Sequence, residues 1–295
     1  MNRILFEPTE ISDGVVTFGG VRAEHVLNVL HGSVGQVLKT GVVDGLIGTS
    51  TIEAIEPLPP DPTTKLAQGR ITVRCVHDQP ALAPWVDLLL APPRPRAMKR
   101  LLPQLAQMGV GRIVLVGAEK VEKAFWGAQL LKEEIYRPLL LDGLMQAGTT
   151  ALPQIQIERS FRHYLEKGRF ESDFSQSSGR FVAHPTKEGQ TPFLRGQSPS
   201  ARGLSPSEGG LSPSAEGLSP SAEGLSPVAE GLSPAEGGQS PRGRVLVAVG
   251  PEGGWTDDEV DRLEAHGFVR LSLGSRILRT DTAVIALLAR LMPLD

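Results

Sequence analysis

A seven-residue repeat built around proline occupies residues 196–242. Its unit reads Gly-Leu-Ser-Pro-Ser-Ala-Glu, and the segment holds 9 glycines, 7 prolines and 11 serines but no aromatic residue. A period of seven is also that of a coiled coil, but a proline in each unit breaks a helix, and one leucine per unit cannot form a seam. A solenoid is not expected either, because the units have almost nothing to bury. We therefore predict an extended, disordered insert, with a partner-binding motif as the alternative.

Without this insert, 248 of the 295 residues remain, enough for two small domains. The insert carries two arginines and five glutamates, so it accounts for the net charge of −3 and leaves the rest of the chain neutral. A neutral body argues against a protein that coats nucleic acid by charge alone. Within that body, residues 94–137 hold nine Lys and Arg against four Glu. This segment is either a phosphate-facing surface or a solvated helix face.

The cysteine content and hydropathy indicate the compartment. Cys75 is the only cysteine, which excludes an intramolecular disulfide framework and a cysteine-rich zinc site, so we expect no metal and a structural role for this residue. No apolar run reaches the roughly 18–20 residues of a membrane span. The first residues lack the charged and apolar regions of a signal peptide. We expect a cytoplasmic protein with no membrane partner.

The order of apolar segments predicts two domains. Residues 1–75 contain short β segments separated by glycines, with one helical stretch over 22–30, and predict a small β-barrel. From residue 76 onward, strands and helices alternate, and such alternation predicts a parallel sheet covered by helices. The predicted strands are 85–91, 112–116, 179–183, 244–249 and 269–273, and the main helices are 98–108, 129–147 and 282–292.

Two glycine-containing loops follow the last two predicted strands. The first reads Gly250-Pro-Glu-Gly-Gly-Trp-Thr256, where Thr256 and Glu259 form a helix capping box, and the second covers 273–281. Open α/β sheets bind ligands at the carboxyl ends of their strands. Neither GxxxxGK[ST] nor GxGxxG occurs, and three carboxylates at the start of the next helix would repel a phosphate. The pattern favours a ligand held by backbone groups, such as an adenosine moiety, or alternatively two tight turns that need glycine.

The two loops together resemble a known pair of motifs. VGPEGGWTDDEV and, shortly after it, LSLGSRILRTDTA are similar to the paired signature of the SPOUT methyltransferases, and most of all to the RsmE family of 16S rRNA uridine-N3 methyltransferases. Residues 1–6 and 22–30 resemble that family's N-terminal PUA-like RNA-binding domain, and residues 99–116 and 144–148 resemble its middle part. The resemblance covers the chain apart from 196–242.

This resemblance implies an α/β fold with two domains. Residues 1–75 would form a PUA-like RNA-binding β-barrel, and residues 76–295 a SPOUT parallel-sheet methyltransferase domain with a deep trefoil knot, interrupted by the insert 196–242. The implied activity is S-adenosylmethionine-dependent methylation of the N3 position of one uridine in 16S rRNA of the small ribosomal subunit, by a homodimer. A SPOUT ribose 2′-O-methyltransferase and a non-catalytic RNA-binding assembly factor stay open as alternatives.

The resemblance also assigns residues to S-adenosylmethionine. The glycines would lie where a side chain obstructs the cofactor, and three apolar residues would sandwich its adenine. The alternatives are turn glycines needed only for folding and ordinary core residues. The implied cofactor-binding residues are Gly250, Pro251, Glu252, Gly253, Gly254, Leu273, Gly274, Ile277, Leu278 and Thr280.

Methylation at N3 requires that the uracil lose a proton and that the resulting charge be stabilised. Arg279 is the candidate for stabilising that charge, unless it forms an ion pair with Asp281 or Glu252. Glu252 would either orient the cofactor's amine or take part in proton removal. Arg3 and Arg22 are candidates for RNA contacts, with ordinary surface arginines as the alternative.

Overall fold

The structure is a computed structural model that describes residues 2–59, 62–63, 66–175, 177–184 and 243–293. The predicted disordered insert, 196–242, lies outside the described residues. The described chain forms two sheets, one in each predicted domain. None of its helices combines the length and apolar character needed to cross a membrane.

The N-terminal sheet has five strands in the order β1-β3-β4-β5-β2. Its strands β1 and β3 are parallel and the other pairs antiparallel. Helix α1 (Gly20–Asn28) buries Ala23 and Val26 against the sheet. The two edge strands meet through their side chains, because the rings of Phe6 and Phe18 lie 5.4 Å apart. The strands are β1 (Ile4–Phe6), β2 (Val15–Phe18), β3 (Val37–Val42), β4 (Ile47–Leu58) and β5 (Gln68–Gln79).

The predicted domain boundary after residue 75 falls inside strand β5. This strand pairs with β4 up to Gln79, which lies opposite Ile47. Proline has no backbone N–H to donate to a ladder, so Pro80 is the residue at which the pairing has to stop. The N-terminal sheet therefore extends four residues beyond the predicted boundary.

The second sheet has six parallel strands in the order β11-β9-β10-β6-β7-β8. All five residues of β6 are buried, as expected for a strand covered on both faces. The predicted alternation and parallel pairing are confirmed, whereas β8 and two short helices, α4 (Phe161–Glu166) and α5 (Arg169–Phe174), are additional to the prediction. The strands are β6 (Val86–Leu90), β7 (Val110–Val116), β8 (Gln154–Glu158), β9 (Gly179–Ala183), β10 (Val245–Val249) and β11 (Val269–Leu271).

Helices cover both faces of this parallel sheet. One face packs against α2, α3 and α7, and the other against α4, α5 and α6. The predicted helix 129–147 begins later, at Glu133, after a 3₁₀ turn over Gln129–Leu131. The helices are α2 (Pro95–Gln107), α3 (Glu133–Ala147), α4 (Phe161–Glu166), α5 (Arg169–Phe174), α6 (Asp257–Ala265) and α7 (Thr280–Leu291).

The residues on either side of β1 contact helix α3. The backbone N–H groups of Asn2 and Arg3 both donate to the carbonyl of Met145, at 2.9 and 3.0 Å. Arg137 of α3 forms an ion pair with Glu7 at 2.7 Å. These contacts join the two sheets on the side of α3 and leave the loops after β10 and β11 outside this junction.

Candidate active site

The loop after β10 is a closed turn. The N–H of Gly254 donates to the carbonyl of Pro251 at 2.8 Å, and Pro251 is buried. Gly254 has φ +70°, the left-handed region that favours glycine. A Cβ atom at Gly250 would lie 3.0 Å from the backbone nitrogen of Trp255. The chain's own geometry thus requires glycine at 250 and 254, which supports the alternative of turn glycines at these two positions.

Gly253 has a different neighbour, the side chain of Lys120. The Lys120 ammonium donates to the Gly253 carbonyl at 3.0 Å, and a Cβ atom at Gly253 would lie 3.0 Å from Lys120 Cδ. Lys120 belongs to the loop after β7. The Lys120 side chain therefore fills the space that a side chain at position 253 would occupy.

Two carboxylates tie the same loop to its neighbours. Glu252 accepts a hydrogen bond from the backbone N–H of Arg94, in the loop after β6, at 3.0 Å. Glu259 is only 5% exposed and accepts from the N–H of Glu119 at 2.8 Å and of Thr256 at 2.9 Å. The Thr256 hydroxyl accepts from the Glu259 N–H, which confirms the predicted capping box. Hydrogen bonds thereby connect the loops that follow three adjacent strands, β10, β6 and β7.

The second loop, residues 272–279, is far more exposed. Ile277 is fully exposed and Leu278 is 37% exposed, whereas Leu273 packs partly buried against the core and Thr280 is buried. Gly274 has φ +101°, a backbone conformation that side chains rarely allow. Of the three apolar residues predicted to hold an adenine, the structure therefore buries one partly and leaves two open to solvent.

Arg279 is exposed and is the N-cap residue of α7. The ion pair with Asp281, considered as its alternative, is made by Arg100 instead, at 2.8 Å, and this hydrogen bond lowers the pKa of the Asp281 carboxyl. Within the described ranges, Arg279 forms no ion pair with Glu252 either. Its guanidinium thus lies at the end of the second loop and forms no ion pair with a carboxylate of the described residues.

Helix α2 brings the two loops to the same place. Arg94, its N-cap, contacts Glu252 of the first loop, and Arg100 contacts Asp281 just after the second. Six residues of helix span about 9 Å, so the two contacts lie close along one helix. The strand order adds to this, because β9 alone separates β10 from β11.

His184 is a candidate that sequence reasoning missed. It follows β9 directly, between the starts of the two loops, and its backbone N–H donates to Leu271. Partial burial lowers the pKa of His184, and the positive charges of Arg270 and Lys120 lower it further, while Asp257 and Glu264 oppose the shift. A neutral imidazole can accept a proton. Only its position after a predicted strand could have pointed to it.

The predicted RNA-binding arginines lie near the N-terminal sheet and have internal partners. Arg3 donates to the carbonyls of Gly148, Thr40 and Gly48 at 2.9, 2.6 and 3.0 Å. Arg22 forms an ion pair with Glu10 and stacks over two phenylalanine rings, each 5.6 Å away. An RNA contact from either residue stays a prediction, and both have evident roles in holding the fold.

The cations of the basic segment 94–137 fall into two groups, some paired within the fold and some exposed, and a phosphate-facing surface stays a prediction. Arg112 and Arg137 form ion pairs with Asp173 and Glu7, so these two cations stabilise the fold. Arg96, Lys99, Lys123 and Lys132 are exposed.

Among the described residues, no group of three His, Cys, Asp or Glu side chains could hold a metal ion.

Known proteins are similar to this chain in both sequence and fold. A family model described as RNA methyltransferase domain matches residues 81–229 and 220–292. The chain belongs to this family. One relative of this RNA methyltransferase, ribosomal RNA small subunit methyltransferase E of Treponema pallidum, is 27% identical over 289 residues, covering 97% of this chain and 88% of that protein. A protein of the same name from Synechocystis is 50% identical over 48 residues, or 16% of each chain. The predicted membership of the RsmE family is confirmed.

Solved structures agree on the fold of this RNA methyltransferase. A methyltransferase of Legionella pneumophila, solved with bound SAM, superposes with a TM-score of 0.61 at 20% identity, covering 98% of this chain and 95% of that one. Ribosomal RNA small subunit methyltransferase E of Neisseria gonorrhoeae, bound to S-adenosyl methionine, gives 0.57 at 19% identity with coverages of 98% and 95%. At such identities the likeness establishes a shared α/β fold with a parallel sheet.

Proposed function

We propose that this protein transfers a methyl group from S-adenosylmethionine to the N3 position of a uridine in 16S rRNA of the small ribosomal subunit. The observation that carries the proposal is the pair of motif-bearing loops held at one edge of a parallel sheet, on either side of the first turns of α2. Relatives named ribosomal RNA small subunit methyltransferase E, and neighbours solved with SAM, support it.

The residues present fit S-adenosylmethionine. The loop after β10 offers backbone groups and one carboxylate, Glu252, suited to a cofactor with a cationic amine and sulfonium. The other loop offers the exposed apolar side chains of Ile277 and Leu278, which an adenine would cover. The predicted cofactor-binding positions on both loops, from Gly250 to Gly254 and from Leu273 to Thr280, are part of this proposal. When bound, the cofactor supplies an electrophilic methyl group.

The remaining chemistry falls to the chain's own side chains. A uracil N3–H is a weak acid, so a base must remove the proton and a cation must stabilise the anion left behind. Arg279 is exposed and has no intramolecular carboxylate among the described residues, so it supplies the cation. Glu252 accepts from the Arg94 N–H, which favours a positioning role for it. The neutral imidazole of His184 is the better proton acceptor at this edge.

Several finer features belong to the same proposal. They are the PUA-like character of the N-terminal sheet and its contact with RNA, the trefoil knot of the second domain, a homodimer, the intact small subunit as partner and a cytoplasmic location. They rest on the family resemblance. A target base in folded RNA has to be unstacked before it reaches such an edge, so we expect a single-stranded or non-canonically paired site.

The test uses small ribosomal subunits from a strain that lacks its own enzyme. The purified protein, labelled S-adenosylmethionine and either subunits or naked rRNA are incubated, and the digested nucleosides are analysed. We expect 3-methyluridine, with turnover reduced both in Arg279→Ala and in His184→Gln. A 2′-O-methylated nucleoside would instead establish the ribose-directed alternative. Absence of both methylation and S-adenosylhomocysteine binding would support a non-catalytic RNA-binding factor.

A further inference from the structure

We propose that Lys120 is a positioning residue that holds the turn 251–254 from outside and thereby sets the affinity for S-adenosylmethionine. The inference rests on the proposed function, because it concerns the cofactor loop. Lys120 lies in the loop after β7, and β6 separates β7 from β10. The loops after β7 and β10 nevertheless come close together at this point, because a Cβ atom at Gly253 would lie 3.3 Å from Lys120 Cβ.

The contact has an electrostatic and a steric part. The ammonium donates to the Gly253 carbonyl at 3.0 Å, which polarises the same peptide group whose N–H, on Gly254, closes the turn onto Pro251 at 2.8 Å. The stem covers Gly253, because a Cβ atom there would lie 3.0 Å from Lys120 Cδ and 3.3 Å from Lys120 Cβ. The Lys120 stem therefore packs against the turn at Gly253, where the turn has no side chain of its own.

The backbone that carries Lys120 is itself anchored. The N–H of the preceding residue, Glu119, donates to the buried carboxylate of Glu259 at 2.8 Å. Ala118 and Val121, on either side, are buried in the core beneath the loop. Because its backbone is already fixed, Lys120 loses less conformational entropy when it binds the neighbouring loop than a lysine on a mobile backbone would. The contact is therefore formed before the cofactor binds.

Three substitutions separate the parts of this contact. Lys120→Met keeps the stem and removes the ammonium, Lys120→Ala removes both, and Lys120→Arg keeps a cationic donor. The probe is S-adenosylhomocysteine, titrated by calorimetry. Because one exposed charge-assisted hydrogen bond is at stake, we expect Kd to rise about fivefold in Lys120→Met, about tenfold in Lys120→Ala and no more than about twofold in Lys120→Arg. Lys123→Met, an exposed lysine nearby, is the matched control and should bind as the wild type does.

Kinetics and a double variant distinguish positioning from general destabilisation. A residue that shapes only the cofactor loop should raise KM for S-adenosylmethionine and leave kcat unchanged at a pH where His184 is neutral in both proteins, since Lys120 also lowers the pKa of His184. Gly253→Ala should weaken S-adenosylhomocysteine binding in the wild-type background but much less in Lys120→Ala, where the stem no longer meets the new methyl group. Equal affinities in Lys120→Met and the wild type, or additive effects in the double variant, would overturn the inference. A wild-type protein that does not bind S-adenosylhomocysteine would contradict the proposed function instead.

Discussion

The two loops that carry the family motifs are built in opposite ways. The turn after β10 is closed by its own hydrogen bond and tied to the loops after β6 and β7 through Glu252, Lys120 and Glu259. The loop after β11 has few such ties: Gly274 donates to the Ser272 hydroxyl, and Arg290 donates to the Ser272 carbonyl. Beyond these contacts it presents Ile277 and Arg279 to solvent.

The difference indicates that the two loops contribute to ligand binding in different ways. A loop fixed by several neighbours is preorganised, so a ligand that binds it does not have to supply the free energy of ordering it. A loop with exposed apolar side chains gains apolar burial when a ligand or another chain covers it. We therefore expect substitutions in the first loop to affect both stability and binding, and substitutions in the second to affect binding or turnover alone.

Arg279→Ala should have the largest effect and should leave the fold intact. Removing one group that stabilises charge in a transition state costs about 100-fold in turnover. Because the side chain is exposed, the midpoint of urea unfolding should not change. Single-turnover methylation and S-adenosylhomocysteine titration give the two readouts, with Arg276→Ala, another exposed arginine of the loop, as the control. Loss of binding together with turnover would reassign Arg279 to the cofactor.

Glu259→Ala should destabilise the protein and weaken binding together. It leaves the N–H groups of Glu119 and Thr256 without their acceptor, and each unsatisfied donor costs about 1–3 kcal/mol when buried. Both groups gain partial access to water, so we expect a loss of about 2 kcal/mol in unfolding free energy. Glu259→Gln, which retains one acceptor oxygen, should lose about half as much.

The control for the two Glu259 variants is Asp258→Ala. Asp258 is the neighbouring carboxylate in the same first turn of α6. Asp258 is exposed and forms an ion pair with Arg262 on the surface. Such pairs contribute less than about 1 kcal/mol. An unfolding midpoint in Glu259→Ala no lower than in Asp258→Ala would show that the first loop is not held by this buried carboxylate.

Sequence reasoning predicted the elements whose pattern is local. The continuous apolar runs of β6, β7 and β10 and the capping box at Thr256 signal strands and a helix start without reference to the rest of the chain. Strand β8 was not predicted from the sequence, because its residues, Gln-Ile-Gln-Ile-Glu, form a polar edge strand rather than an apolar run. The predicted end of strand β5 came too early, because the residues between the predicted boundary and the turn signal at Pro80 have mixed polarity.

The contacts around the site could not be predicted, because they join residues far apart in the chain. Arg94 and Glu252 are 158 residues apart, and Lys120 and Gly253 are 133 apart. The glycine motif indicated a tight loop correctly, but not that a lysine from another strand covers Gly253. Similarly, the basic segment did not show which arginines pair internally, since Glu7 and Asp173 lie outside it.

Ile277→Ser tests the second loop at a smaller scale. The side chain is fully exposed, so the unfolding free energy should stay within about 0.5 kcal/mol of the wild-type value. If an adenine covers it, loss of that apolar contact should raise Kd for S-adenosylhomocysteine several-fold. Leu82→Ser, at a highly exposed leucine away from the loops, is the control and should change neither quantity. Unchanged affinity in Ile277→Ser would place the adenine elsewhere.

The smallest expected effect concerns the ion pair that links α2 to the end of the second loop. Arg100 holds the pKa of Asp281 below its ordinary value, so the pair stabilises the fold above the unfolded-state pKa near 4 and loses that contribution as the pH falls through the lowered folded-state pKa. The Arg100 side chain is 59% exposed, which limits the contribution to about 0.5 kcal/mol. Urea unfolding of Arg100→Met should therefore show this deficit at pH 7 and a smaller one at pH 3, with Arg96→Met, an exposed arginine of the same helix, showing none. A deficit of the same size at both pH values would mean that Arg100 acts through packing rather than through the charge of Asp281.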